Sequence, residues 1–431
     1  MPDPNPCYLR MMIQPEPTKA ILLERGSKIG HKAMELPKRD LSMIKLLRRT
    51  RLQLFLAKKA LSFSTEFTDR LYKIYLGHKK VVHFRDGHPV YSLSTPAIYS
   101  KPAANMVART LYRSIQNKNM PNLMSLAVTD VCNAGCSFCS FYEGVHDPSR
   151  KIMSLAQCRK IIADSQELGV SVVNFVGGEP LKRPEILQII GAVDKDLSTT
   201  TLFTNGWALP EMAPRLRDAG LDSVYVSIDF ADSAKHDESR QVKGLYQRAM
   251  KGFENALKSG MSVGLAAFIT PEKFYNGELE RLVELARRLG VHEVVVFDAF
   301  PSGRFEHRGD LIDNNQWKEE MIDWSKPFNE DWTYPGIVLH AYAASHRSVG
   351  CSCGTSYFYV TPYGDICSCD FNHRPFGNAL ERPLYQIWEE MTSHKLYKEA
   401  QWGGCKVKNS QFLDEVEPRG SENIMASMVK P

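Results

Sequence analysis

From about Leu123 to Phe300, six short apolar runs alternate with amphipathic stretches, and this alternation limits the folds open to the chain more than any other feature. The runs are Met124–Thr129, Val170–Val176, Thr199–Thr204, Ser223–Ile228, Ser262–Ile269 and Glu293–Phe297. They are rich in Val, Ile, Leu, Phe and Ala with little polar alternation, the pattern of strands buried on both faces of a parallel sheet. Between them, helical periodicity predicts Leu155–Leu168, Pro184–Val193, Pro210–Ala219, Leu245–Ser259 and Glu278–Leu289. Ser154 stands where an N-cap belongs, and Gly169, Gly220, Gly260 and Gly290 stand where helices should stop. Strand, helix, strand in this order gives right-handed crossovers in a parallel α/β sheet. Six units are too few to close an eight-stranded barrel, so the expected core is a partial, curled (β/α)6 barrel.

Directly after the first run comes Val131-Cys132-Asn133-Ala134-Gly135-Cys136-Ser137-Phe138-Cys139, with spacing C-x3-C-x2-C. That loop falls at the C-terminal edge of the sheet, where parallel α/β proteins build their sites. Three thiolates this close can hold three irons of a 4Fe–4S cube and leave the fourth iron open for a ligand from outside the chain. Electron-carrying clusters usually take four cysteines and leave no iron free. The alternative is three corners of a structural zinc site. Zinc sites, however, group cysteines as C-x2-C pairs with a second pair roughly 15–20 residues on. The next cysteine here, Cys158, is alone in a helical pattern.

The second run ends in Gly177-Gly178-Glu179-Pro180. Paired glycines let the backbone come close to another group, and Glu179 adds a carboxylate suited to an ammonium ion. Taken with the cysteine triad one unit earlier, the segment resembles the radical S-adenosylmethionine (radical SAM) superfamily over residues 123–300. The resemblance implies that Cys132, Cys136 and Cys139 hold a catalytic 4Fe–4S cluster whose open iron is chelated by S-adenosylmethionine. It implies that Phe138 lies against the adenine and that Gly177, Gly178 and Glu179 hold the methionine amino group. Softer matches follow. Thr204-Asn205-Gly206 ends the third run, and Ser227 and Asp229 end the fourth as ribose or methionine contacts. Arg240 or Arg248 would meet the methionine carboxylate, with a surface salt bridge as the plainer reading of either. Val296 and Phe297 would line the adenine. The implied chemistry is reductive cleavage of the sulfonium to a 5′-deoxyadenosyl radical that abstracts hydrogen from a substrate. No Ser–His–Asp or paired-carboxylate site is evident, and His236, His292 and His340 read as ordinary structural residues.

Farther on, ten residues separate Cys353 from Gly364 and four separate Gly364 from Cys369, with a Tyr363-Gly364-Asp365 hairpin turn between β-type runs. Phe376-Gly377-Asn378 and Ile387-Trp388 follow. This resembles the SPASM or twitch extension of radical SAM enzymes, which implies an auxiliary iron–sulfur cluster. Cys353, Cys369 and Cys405 are its preferred ligands, with Cys351 or Cys367 as the fourth, or substrate filling an open position. These five cysteines are fewer than two auxiliary clusters need, so one is expected; a zinc knuckle is the structural alternative. Cys7 and Cys158 read as plain thiols.

The expected organisation is therefore a partly helical N-terminal extension over 1–122, a radical SAM core over 123–330, a small auxiliary-cluster β-hairpin domain over 331–408 and a polar tail over 409–431. Residues 38–61 carry eight Lys or Arg and one acid, Asp40. They form a basic amphipathic pattern that suits a membrane surface or an anionic partner, although a helix packed on the barrel is the preferred reading. His78–Ser94, turning at Asp86-Gly87, suggests a small hairpin or cap. The net charge of +5 is mild for 431 residues, so no nucleic-acid partner is expected. The N-terminus lacks an apolar signal-peptide core, and ten cysteines without one suggest reduced thiols and a cytoplasmic location, with peripheral membrane contact left open. A flavodoxin- or ferredoxin-like electron donor is implied. The preferred substrate is a peptide or protein side chain. A small or lipid-like metabolite and a non-catalytic iron–sulfur module are the alternatives, and no leader-binding winged-helix signature is found in residues 1–122.

Overall fold

The structure is a computed structural model and describes residues 72–116, 118–306, 308–311, 315–398 and 404–409. These all fall within Leu41–Pro431, one of two compact units of the chain. Cys7, the basic stretch 38–61 and the tail beyond Asn409 lie outside the described residues.

The six apolar runs are strands, here β3 (Leu123–Ala127), β4 (Val172–Val176), β5 (Thr199–Thr204), β6 (Ser223–Ser227), β7 (Ser262–Ile269) and β8 (Glu293–Asp298). Each pairs in parallel with the next. Helices return the chain between them: Leu155–Leu168, Ile186–Ile190, Leu209–Asp218, Leu245–Lys258 and Glu278–Leu289. The cap chemistry legible in the sequence forms these ends. Ser154 and Gln157 make a reciprocal capping box at the start of Leu155–Leu168, and Gly169 ends it at φ 116°.

Four further strands enlarge the sheet. β9 (Gly336–Leu339), preceded by the helix Gln316–Glu330, pairs in parallel outside β8. On the other side β10 (Tyr357–Val360) pairs in parallel with β3, and β11 (Asp365–Cys369) and β12 (Asn372–Asn378) follow it antiparallel. The result among the described residues is a ten-stranded sheet in the order β12-β11-β10-β3-β4-β5-β6-β7-β8-β9, an open barrel whose end strands do not meet. The auxiliary cysteine hairpin is thus continuous with the barrel sheet. The helix Leu384–Ser393 covers this edge, burying Leu384, Ile387, Trp388 and Met391 in the same apolar layer that the barrel helices form.

The sheet has an apolar outer face and a mixed inner face. Met124, Leu126, Val173, Phe175, Val224, Val226, Leu265, Val294 and Val296 pack outward under the helices. The alternate residues Tyr225, Ala266 and Val295 point inward, where Leu93 joins them. Leu93 arrives on the N-terminal segment. Its hairpin is β1 (His83–Arg85) and β2 (His88–Val90), joined through Asp86 and Gly87 at φ 50° and 80°, the turn that Asp-Gly favours. Arg85 then caps the lower edge of the barrel, donating to Thr199 Oγ1 (2.8 Å), Ser223 Oγ (2.7 Å) and Ser262 Oγ (3.0 Å) at the starts of three neighbouring strands. Arg85 thus covers the lower edge at β5, β6 and β7, and the cysteine loop lies at the opposite, C-terminal edge. No helix among the described residues is long and apolar enough to cross a membrane.

Candidate functional site

The three-cysteine loop is held from three directions. From the second unit, Gly178 N–H donates to Thr129 O (2.9 Å) and Glu179 N–H to Val131 O (2.8 Å). The glycines make this approach possible: a Cβ on Gly178 would stand 2.4 Å from Val131 O, and one on Gly177, at φ 140°, 2.5 Å from Thr129 O. From below, Gly135 N–H donates to Arg240 O (3.0 Å). From the segment after β8, Arg304 donates to the carbonyls of Gly135 (2.9 Å) and Cys136 (2.8 Å), and its N–H to Cys139 O (3.0 Å). Gly303 allows that clamp, since its Cβ would fall 2.4 Å from Cys139 O. Arg304 carried no sequence motif and was not among the expected site residues.

The sulfurs themselves are dressed for negative charge. Ala134 N–H points at Cys132 Sγ (3.4 Å) and Tyr142 N–H at Cys139 Sγ (3.3 Å). Burial pushes the Cys136 thiol up to about 11, with Arg240 pulling the other way; Cys132 is raised by burial against the Ala134 hydrogen bond. Burial thus disfavours the free thiolates of Cys132 and Cys136, and a bound metal would favour them.

Glu179 is buried and fully engaged. It accepts from Thr204 Oγ1 (2.6 Å), Leu181 N–H (3.0 Å) and Asn205 N–H (2.7 Å), while burial raises its carboxyl. Asn205 also donates to Asn133 Oδ1 (2.9 Å), tying the end of β5 to the cysteine loop. Asp229 accepts from Arg240 Nε (2.6 Å) in a buried pair. Burial would raise Asp229, yet Arg240, Lys273 and His236 outweigh it and hold it low. Asp229 lies behind Arg240, and of the two it is Arg240 that reaches the cavity wall. Arg248, the other expected arginine, pairs with Glu211 on the surface. Phe138 stacks on Phe268 at 4.6 Å and lines the cavity, as do Ser227 and Phe297. Val296 does not: with strand period two it faces the helices, and Val295 and Phe297 face in. Val296, expected to line the adenine, therefore does not face the cavity.

At the far end the thiol of Cys351 interacts with those of Cys353 and Cys405, and Cys353 with Cys369. The contact with both neighbours holds Cys351 below the usual thiol range and pushes Cys353 and Cys405 above it. Phe371 N–H points at Cys369 Sγ (3.4 Å), and buried Lys406 lies beside this group, donating to Cys353 O (3.1 Å). Four thiols, backbone donors and a buried ammonium fit a negatively charged cluster. Cys367 stands apart. Two residues along a strand is about 6.6 Å, and its side chain packs with Ala127, Tyr359 and Tyr363. As the fourth ligand, Cys351 fits and Cys367 does not. Among the described residues no three His, Cys, Asp or Glu side chains meet closely enough to share a single metal ion; in a cube each thiolate takes its own iron.

One cavity of about 500 Å³ runs from Cys132, Cys136 and Cys139 to Cys353 and Cys369. Aromatic side chains, among them Phe203, Phe297, Phe300, Phe371 and Tyr357, form much of its wall. His340, which read as an ordinary histidine, also lies on it with Nδ1 3.2 Å from Asp298 Oδ1, and Lys408 holds the other Asp298 oxygen. No local motif marked this group, because it assembles from β8, the end of β9 and the C-terminal segment. The nine described cysteines are all free.

Comparison with known proteins agrees with this geometry. Residues 126–286 match the radical SAM superfamily and residues 351–408 an iron–sulfur cluster-binding domain, SPASM. The chain is 26% identical over 294 residues to an AdoMet-dependent heme synthase of Methanosarcina barkeri, covering 63% of this chain and 83% of that one. It is 26% identical over 311 residues to the mycofactocin maturase MftC of Mycobacterium tuberculosis, covering 69% and 78%. Among solved structures it resembles Streptococcus suis SuiB bound to its precursor peptide SuiA, with TM-score 0.54, 18% identity, and 73% and 78% of the two chains covered. A three-cysteine loop at the C-terminal edge of a parallel sheet, a glycine–glutamate loop braced against it and a four-cysteine group on the same sheet make this chain an enzyme of the radical SAM superfamily with a SPASM iron–sulfur domain.

Proposed function

We propose that this enzyme modifies a peptide or protein side chain by radical hydrogen abstraction, with Cys132, Cys136 and Cys139 holding the catalytic 4Fe–4S cluster and Cys351, Cys353, Cys369 and Cys405 an auxiliary one. The continuous cavity between the two cysteine groups carries this reading, because a side chain entering from the C-terminal edge would lie between them. A cluster held by Cys132, Cys136 and Cys139 would, once reduced by a flavodoxin- or ferredoxin-like donor, supply the electron that breaks the sulfonium C–S bond into methionine and a 5′-deoxyadenosyl radical, and that radical would take a hydrogen atom from the substrate to become 5′-deoxyadenosine. The chain's own part is placement and exclusion of water. Glu179 and Asn205 brace the loop that would meet the methionine amino group, Arg240 presents a guanidinium oriented by Asp229, and Phe138 gives the adenine a flat apolar face. The aromatic walls keep water from a reactive carbon. The peptide-bound SuiB structure and the maturase MftC favour a peptide substrate. Similarity to the heme synthase favours the second reading, a small metabolite.

Anaerobic incubation of the reconstituted enzyme with S-adenosylmethionine, reductant and fractions of a host lysate separates the two. The proposal expects 5′-deoxyadenosine and a new mass together in the peptide fraction. Product only in the low-mass fraction would move the assignment to the second reading.

A further inference from the structure

Between the two cysteine groups the cavity wall is the inner face of β10, β3 and β4. Tyr359, Ser125 and Asn174 stand side by side across these strands, in register from one strand to the next. Tyr359 is 2% exposed and Asn174 7%. The Tyr359 hydroxyl and the Asn174 Oδ1 have no hydrogen-bond partner among the described residues. Asp370, directly after Cys369, adds a third such atom: Oδ2 accepts from Tyr357 while Oδ1 has no partner, and Asn122 Oδ1 at the lower margin is a fourth. All four residues line the cavity.

Elsewhere on that wall the ionisable side chains already have protein partners. Glu179 is engaged by three donors, Arg240 by Asp229, Arg304 by two carbonyls and His340 by Asp298. A buried polar atom without a partner is destabilising, because it has lost its hydrogen bond to water and gained none in return. Several on one wall, all able to accept, form half of a recognition site, and the missing half must bring donors. A phosphate or carboxylate brings acceptors: it could take the Tyr359 O–H, but it would leave the Asn174, Asn122 and Asp370 oxygens unpaired, the last of them beside a like charge.

We infer that the group bound on the Tyr359–Asn174–Asp370 wall is a basic side chain, an ammonium or a guanidinium, set between the two cysteine groups. The inference rests on the proposed peptide substrate and names the class of side chain. It sets this cavity apart from one built for a nucleoside triphosphate or a porphyrin carboxylate.

The test uses the anaerobic holoenzyme with S-adenosylmethionine present and ligand-observed NMR titration. The probes are Nα-acetyl-lysine N-methylamide, Nα-acetyl-arginine N-methylamide, the neutral Nα-acetyl-norleucine N-methylamide, the acidic Nα-acetyl-glutamate N-methylamide, and free butylamine and agmatine. At least one basic amide should bind about tenfold or more tighter than the norleucine probe, and Asp370→Asn should remove that preference. Asn174→Leu, which keeps the strand's bulk and deletes the acceptor, should weaken the basic probe and leave the norleucine probe unchanged, so the inference does not hang on one variant folding. Equal or tighter binding of the norleucine or glutamate probe, no binding of any basic probe, or an unchanged preference in both variants would overturn it. If butylamine and agmatine bind with the expected dependence on Asp370 while both basic amides fail, the basic-group inference stands and the peptide reading falls.

Discussion

Gly178 shows how a single missing side chain sets the geometry of the site. Its backbone lies against Val131 so closely that a methyl group would meet a carbonyl oxygen at 2.4 Å, and backbone cannot step aside as a side-chain tip can. Gly178→Ala should therefore push the glycine–glutamate loop off the cysteine loop. The expected outcome is a lower iron and sulfide content per reconstituted chain; wild-type content would contradict the packing argument. Asp229 works through another residue. It orients Arg240, and Asp229→Asn leaves a buried guanidinium without its counter-charge, at a cost of about 3–5 kcal/mol by denaturant unfolding. The Asp229 carboxyl is depressed in the fold, so its contribution is full above the unfolded value of about 4 and is lost as pH falls below it. The Asn variant should accordingly lose less stability than wild type on acidification through that window. The triad and the glycine–glutamate loop were legible in the sequence because each is a contiguous run. Val296 was misplaced because one step along a strand exchanges the inner face for the outer, and an all-apolar strand gives no alternation to mark which is which.

At the scale of elements, the N-terminal segment is part of the barrel. Leu93 fills its floor, and Glu293 at the start of β8 holds Ser92 Oγ (3.2 Å), Leu93 N–H (3.1 Å) and the Tyr225 hydroxyl. Burial pushes the Glu293 carboxyl up to about 7 despite those donors. The folded chain thus keeps a proton that the unfolded chain releases above about 4.3. Stability from this group is greatest below that value and declines as pH rises toward 7, by about 2–3 kcal/mol between pH 5 and 8. Urea unfolding at the two values should show this loss in wild type and a smaller one in Glu293→Gln; parallel behaviour would contradict it. The six strands, their helices and the hairpin turn at Asp86-Gly87 were legible because caps, glycines and apolar runs are local signals. β9 and the parallel pairing of β10 with β3 were not, since four-residue strands take their meaning from partners that are distant in sequence.

At the scale of the whole molecule, one sheet carries both cysteine groups and one cavity joins them. Loss of the far group should therefore spare the first step and harm the second. Cys369→Ala is expected to retain some cleavage of S-adenosylmethionine and lose substrate product, read by chromatography of 5′-deoxyadenosine against product mass; normal product would make the second group merely structural. Cys351 rather than Cys367 completes that group because loop closure brings residue 351 to residue 405, which spacing alone does not reveal. The central claim, an iron left open by three cysteines, is tested most directly by electron paramagnetic resonance of the reduced Cys353→Ala/Cys369→Ala protein with and without S-adenosylmethionine. The account predicts a 4Fe–4S signal that changes on adding S-adenosylmethionine and disappears when Cys132, Cys136 or Cys139 is replaced by alanine. A signal indifferent to S-adenosylmethionine, or zinc in place of iron on elemental analysis, would contradict it.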